Sequence, residues 1–295
     1  MVRKDNILLL GGSSFVGKAL SACIPPEQKI RTYFNRPIKG GVYFDVCSMS
    51  LDEILSEPET ISHGIVLLGD TKPDSCFTNP DRSRLLNVES IINILKCFQR
   101  YEIIPVFSST EVVFDGSKGN YSETDNPGPT MLYAKQKLEV ESFIQQYFQE
   151  HIILRLALVL SDTPGDGSFL PGLLENIVNR KSIHGASDYI STPVYVNDAC
   201  EVLMCLIRNK SRGIFHVSGT EILSRLDISN MLAETLRKHM KISADIIPCK
   251  MADFALKEER PLNVSLCNKK LLKATGITLT PVQSVCENLV RKYNG

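Results

Sequence analysis

The sequence predicts an α/β fold, a doubly wound parallel sheet with a smaller C-terminal domain interleaved into it. Three observations carry this expectation. Short β-rich runs alternate with helical periodicity through the first 160 residues, the pattern of βαβ units. The first run ends in a glycine-rich turn, Gly11-Gly12-Ser13-Ser14-Phe15-Val16-Gly17. Residues with chemical character follow the ends of the runs, where open parallel sheets place their ligands.

Asn6–Leu10, the turn and a helical Lys18–Cys23 form strand, turn and helix, the context in which such a turn binds a dinucleotide. Gly11 permits the tight turn and Gly17 close packing of helix on strand. Amides from Ser13 through Phe15 and Val16 at the helix start suit a pyrophosphate. The middle position of Gly-x-x-Gly-x-x-Gly is Ser14, whose Cβ is expected to crowd the closest backbone approach. A second strand, Ile30–Phe34, ends at Asn35-Arg36. An arginine there accommodates a 2′-phosphate, which favours NADP(H) as cofactor with NAD(H) as the alternative. Val42–Val46 reads as a third strand closing on Asp45, and Ile65–Leu68 as a fourth leading into Gly69-Asp70. Helical periodicity over Leu85–Arg100 precedes a fifth, Ile103–Phe107, which delivers Ser108-Ser109-Thr110.

Tyr133 and Lys137 follow at i and i+4, on one face of a predicted helix. An ammonium beside a phenol is expected to lower the tyrosine pKa towards working pH, which a general acid or base needs. Any of the three hydroxyls at 108–110 is a candidate partner.

Beyond Leu160 come a turn-rich loop at 162–168, a helix over Phe169–Asn179, and a return to the dinucleotide-binding domain at Thr192–Val196. A helix capped by Asp198 then runs to Ile207, followed by a strand at Ile214–Val217. Leu226–Met240 reads as an amphipathic helix started by Asp227 or Ser224, with two more at Leu271–Lys273 and Pro281–Arg291. The expected division is a dinucleotide-binding domain over 1–160, completed by about 190–218, and a substrate-binding domain made of 161–189 and 219–295.

Bulk properties exclude several classes. Lys plus Arg and Asp plus Glu both number 33 without long runs of either sign, so no field draws polyanions and nucleic acid is not expected as a partner. The apolar runs near Ile7–Leu10 and Ile152–Leu160 are too short to span a bilayer. No signal-peptide cleavage pattern opens the chain, so a cytoplasmic protein is expected. Nine cysteines without a Cys-x-x-Cys and five dispersed histidines suit reduced thiols and no metal site.

The chain resembles the extended short-chain dehydrogenase/reductases, and among them the dTDP-4-dehydrorhamnose reductase-like, sugar-nucleotide-binding proteins. The resemblance runs through Gly11–Gly17, Asp45-Val46, Pro73-Asp74, Leu85–Val88, Phe107–Thr110 and Val113–Gly116. It continues in Tyr121-x-Glu123-x-Asp125, Leu132–Leu138 with Glu141, Leu154-Arg155, Thr192–Asp198 and Arg260-Pro261. It implies a Rossmann domain and a reductase of a nucleotide-linked 4-keto sugar, in deoxysugar or surface-polysaccharide synthesis. It also implies that Thr110 bonds the substrate oxygen, Tyr133 moves the proton on it, and Lys137 holds the nicotinamide ribose. Asp45 and Val46 would lie against the adenine, Leu68 and Gly69 against the cofactor ribose, with Asn87 an accessory. Glu111 and Arg260 would meet the substrate, and a homodimer is compatible with the resemblance. Sugar-nucleotide dehydratases carry an Asp-Glu pair after the threonine, where this chain has Glu111-Val112. Without the second carboxylate, ketone reduction is favoured over water elimination. Two alternatives stay open: a non-catalytic NADP-binding subunit resembling the regulatory subunit of methionine adenosyltransferase, and an NAD-dependent epimerase.

Overall fold

The computed structural model describes residues 6–179 and 182–294; the opening residues 1–5, read above for a leader, lie outside them. Strands β1 (Asn6–Leu10), β2 (Lys29–Tyr33), β3 (Val42–Tyr43), β4 (Ile61–Val66), β5 (Ile104–Thr110), β6 (Ile152–Leu156) and β11 (Gly213–Val217) form one parallel sheet. Their order is β11-β6-β5-β4-β1-β2-β3. The order reverses between β1 and β4, which opens a crevice beyond the carboxyl ends of those two strands.

Both faces of the sheet are covered, which is why the strands read as continuous apolar runs. Ile7 and Leu9 of β1, with Ile152 and Leu154 of β6, join a core under α1 (Phe15–Cys23) and α7 (Val196–Arg208). Leu8 and Leu10, with Ile153, face a second core under α4 (Ser90–Arg100) and α5 (Leu132–Tyr147). Strand alternation therefore also sends Arg155, two residues after Ile153, towards α5.

The later chain adds α6 (Phe169–Val178), α8 (Arg225–Arg237), α9 (Lys269–Thr275) and α10 (Val282–Asn294). Two-stranded pairs join β7 (Val159–Leu160) to β10 (Val194–Tyr195), β9 (Ile190–Ser191) to β12 (Leu223–Ser224), and β8 (Ile183–Ala186) to β13 (Ile246–Cys249). Short helices α2 (Pro73–Thr78) and α3 (Pro80–Arg84) precede α4.

Several local readings change. The first helix starts at Phe15, not Lys18, because Ser14 caps it. The fourth strand runs over Ile61–Val66, so Leu67 and Leu68 already belong to the crevice loop. The helix expected from Leu85 already runs from Pro80, and Leu85–Glu89 is a wide π turn within it, a form common at functional sites. Asp198 does not cap α7: Tyr195 holds the N-cap position, and the Asp198 carboxylate accepts bonds from Thr280 N (2.6 Å) and Oγ1 (2.9 Å). For α8 the cap is Ser224, and Asp227 answers it in a capping box.

Candidate active site

The glycine-rich turn closes on β2. Gly12 N donates to Thr32 O at 2.9 Å and Gly11 N to Thr32 Oγ1 at 3.1 Å, which sets Asn35 and Arg36, both exposed, just past the strand beside the turn. Gly11 has φ +87°, and a Cβ on Gly17 would lie 2.2 Å from Gly11 O. Only glycine fits either place. Ser14 is accommodated within the turn itself. Its backbone is extended, and its hydroxyl donates to Gly11 O (2.7 Å) while accepting from Gly17 N (3.1 Å). The hydroxyl thus locks the glycine that follows it.

Ser14, Phe15 and Val16 form one end of a cavity of about 790 Å³ that also reaches Leu68, Thr110, Glu111, Tyr133, Lys137 and Arg260. The cavity brings half of the predicted site together; Gly11, Ser13, Gly17, Asn35, Arg36, Gly69 and Asn87 do not line it. Gly69, at φ +139°, is packed so that a Cβ would meet Asn87 Oδ1 at 2.9 Å and Lys137 Nζ at 3.8 Å. Asn87 does not bond the backbone of its own helix. It accepts from Asp70 N (2.7 Å) and donates to Asp70 O (3.1 Å) and Gln136 Oε1 (2.8 Å), clamping the loop after β4 to α5. Asp45 and Val46 lie outside this cavity. The Asp45 carboxylate caps its own turn through Cys47 N (3.0 Å) and Ser48 Oγ (2.7 Å), and Val46 borders a separate hollow of about 620 Å³.

The three hydroxyls divide by strand geometry. Ser108 Oγ donates to Val66 O at 2.9 Å on β4. Ser109, on the opposite face, donates to Glu141. Thr110, at the end of β5, accepts from Val112 N at 3.4 Å and lines the cavity together with Tyr133. Both Ser108 and Ser109 are thus tied to structure, and Thr110 is the one beside the tyrosine.

Tyr133 and Lys137 are both buried. Lys137 Nζ donates to Ser108 O at 2.9 Å and sits 4.7 Å from the Phe107 ring centroid. The expected fall in the tyrosine pKa does not occur. Burial raises it, because a phenolate in this apolar wall loses water, and the Thr110 hydroxyl only partly offsets that. Burial also brings Lys137 down, to about 8, against an upward pull from Glu141. Glu111 is raised to about 7 by burial, although Ser191 Oγ donates to it at 2.6 Å and Arg225 acts in the same lowering sense. Among the described residues no cluster of metal-ligating side chains occurs, and no helix is long and apolar enough to cross a membrane.

Arg260 lines the cavity, but its Nη2 pairs with Asp74 at 2.6 Å. Among the lining residues that the sequence does not announce are Ser168, Phe169, Tyr189 and Arg225. They come from three separate segments, and no local spacing announces them.

The family model described as the RmlD substrate binding domain matches residues 5–294. Methionine adenosyltransferase 2 subunit beta of Danio rerio is 25% identical over 236 residues, 77% of this chain and 71% of that protein. The dTDP-4-dehydrorhamnose reductase of Sinorhizobium fredii is 23% identical over 296 residues, 97% of this chain and 96% of that one. That of Aggregatibacter actinomycetemcomitans is 26% identical, covering 74% and 79%. The fold is shared with a solved dTDP-4-dehydrorhamnose reductase from Bacillus anthracis in complex with NADP, at a TM-score of 0.82 and 22% identity over 99% of both chains.

Proposed function

The chain belongs to the RmlD substrate binding domain family, and on that premise we propose that it is an NAD(P)H-dependent reductase of a nucleotide-linked 4-keto sugar. The observation that carries the reading is the meeting of Thr110, Tyr133 and Lys137 in one cavity with the turn residues Ser14, Phe15 and Val16. Relatives named as dTDP-4-dehydrorhamnose reductases support it, one of them along nearly the whole chain. Deoxysugar or surface-polysaccharide synthesis is its setting, the cytoplasm its place, and a homodimer fits it.

The residues present suit a dinucleotide. Gly11 and Gly17 leave a turn that any Cβ would fill, and the helix behind it offers its amino end to a pyrophosphate. Gly69 keeps the loop after β4 clear for the cofactor ribose, and Arg36 is the group for a 2′-phosphate, hence NADP(H) before NAD(H). Bound there, the reduced nicotinamide supplies the hydride.

The chain's own residues then hold the substrate and its proton. Thr110 donates to the keto oxygen and fixes it beside Tyr133. Tyr133, whose pKa is raised by burial, holds its proton through the working range and gives it to the oxygen as negative charge develops there. Lys137 holds the ribose hydroxyls and places positive charge under the site. Val112 leaves no second carboxylate to take a carbon-bound proton, which keeps the chemistry to reduction.

A panel of UDP- and dTDP-linked 4-keto sugars, followed by NADPH absorbance, tests the reading. Turnover lost in Tyr133→Phe with cofactor affinity retained is the expected result. Tight cofactor binding without turnover of any member would favour the regulatory-subunit reading, to which the methionine adenosyltransferase relatives point. Oxidised cofactor retained through purification would favour an epimerase.

A further inference from the structure

The cavity that holds Thr110 and Tyr133 also contains a cation the reduction does not use. Arg225, the first residue of α8, lines it with its guanidinium carbon 4.2 Å from the Phe169 ring centroid and 5.3 Å from that of Tyr189. Its Nη1 is out of solvent with no hydrogen-bond partner, and so is the hydroxyl of Ser168, which lines the same cavity. That hydroxyl does not cap α6, although Ser168 occupies the N-cap position. A charged N–H left unpaired in the interior costs about 1–3 kcal/mol or more, a cost that an anion relieves. Guanidinium stacked on aromatic rings is held flat, with its fork presented edge-on, the form that suits phosphate and carboxylate oxygens.

Arg260, assigned to the substrate by resemblance, is differently placed. Its Nη2 pairs with Asp74 at 2.6 Å and its Nη1 reaches Glu258 O and Met131 Sδ, each at 3.3 Å. Its charge is already matched. Glu111 feels the charge of Arg225, yet its carboxylate accepts from Ser191 and no ion pair joins it to Arg225 among the described residues.

We propose that Arg225, assisted by the Ser168 hydroxyl, binds the anionic part of the substrate, and that Arg260 instead fixes the Asp74 segment. This rests on the nucleotide-sugar reading above. The oxygens it binds are those of the diphosphate or of a sugar carboxylate, and the two sources are separable.

Calorimetric titration of the full chain with UDP, dTDP and glucuronate separates them, using wild type, Arg225→Met, Arg225→Lys and Arg260→Met. Methionine keeps the packing on Phe169. It should weaken nucleoside diphosphate binding about 10- to 100-fold, the range for a lost charge-assisted fork. Lysine should restore part of the loss, and Arg260→Met should stay within about threefold of wild type. Unchanged melting temperature and NADP affinity would exclude misfolding of Arg225→Met. Glucuronate binding that depends on Arg225, without nucleoside diphosphate binding, would assign the sugar carboxylate as source. The proposal is overturned if Arg225→Met binds like wild type, if Arg260→Met carries the loss, or if wild type binds none of the three. Turnover of a keto sugar with undiminished Arg225→Met affinity sinks this proposal alone, whereas Arg225-dependent diphosphate binding without turnover sinks the reductase reading alone.

Discussion

Arg155 Nη2 lies 2.8 Å from Glu141 Oε2 with both side chains out of solvent, and the Ser109 hydroxyl donates to the same carboxylate. The pair ties α5 to β6, and Ser109 adds β5. It therefore holds the helix of Tyr133 and Lys137 against the strand that ends in Thr110. Removing one partner of a buried pair leaves an uncompensated charge and costs about 3–5 kcal/mol, whereas apolar replacement of both is far better tolerated. Glu141→Leu and Arg155→Met should each lose about that much in urea denaturation, and the double variant should regain most of it. Losses that simply add would mean the two side chains are not coupled.

Lys137 is brought down to about 8 by burial, with Glu141 pulling it back up. Its ammonium is therefore present below that pH and lost as pH rises through it. A site that needs this charge should lose kcat/KM above about pH 8. Lys137→Arg keeps the charge, since guanidinium does not titrate in range. In that variant overall activity should fall, and the basic limb should vanish. A limb that persists unchanged belongs to another group.

How much of this was legible in the sequence follows from the range of each interaction. Gly11, Gly17, Tyr133 and Lys137 announce themselves because turn conformation and i,i+4 spacing are local rules. Thr110 is separable from Ser108 and Ser109 in the sequence only through the family resemblance; the physical reason, that β4 and α5 engage the other two hydroxyls, is long-range. The direction of the tyrosine shift is not legible locally, because desolvation is set by burial from distant parts of the chain: Tyr133 packs with Cys76, Val112, Met131 and Val264. Arg225 is not legible for the same reason, as Phe169 reaches it from the start of α6 and Tyr189 from the turn between β8 and β9. Ser14 looked like a departure from the glycine pattern, yet its hydroxyl does the capping that a glycine cannot.

Gly17 tests the turn. An added Cβ would meet the Gly11 carbonyl oxygen at 2.2 Å, the Ser14 hydroxyl at 2.8 Å and Gly12 Cα at 2.9 Å. Two of these are backbone and cannot swing aside, so Gly17→Ala must push α1 away from β1. Overpacking of this kind costs about 1–3 kcal/mol, and the displaced amides should weaken NADP(H) more than the nucleoside diphosphate. Thermal denaturation with paired titrations checks both. Equal loss for the two ligands would show that the turn acts on stability alone.

Glu111 gives the last prediction, because its sign is opposite to that of an ordinary surface acid. Burial raises it from the usual carboxylate value to about 7, against a bond from Ser191 and the charge of Arg225. A raised folded-state value contributes stability in full below the unfolded value near 4.5, and that stability is lost as pH rises through 7. Wild type should thus lose up to about 3 kcal/mol across that window. Glu111→Gln keeps an acceptor for Ser191 and does not titrate. Its stability relative to wild type should therefore rise from pH 5 to pH 8 and level off above, read from urea midpoints at each pH. A difference independent of pH would mean that the carboxyl is hydrated in solution, and that the cavity wall around Ser191 opens to water more than the packing implies.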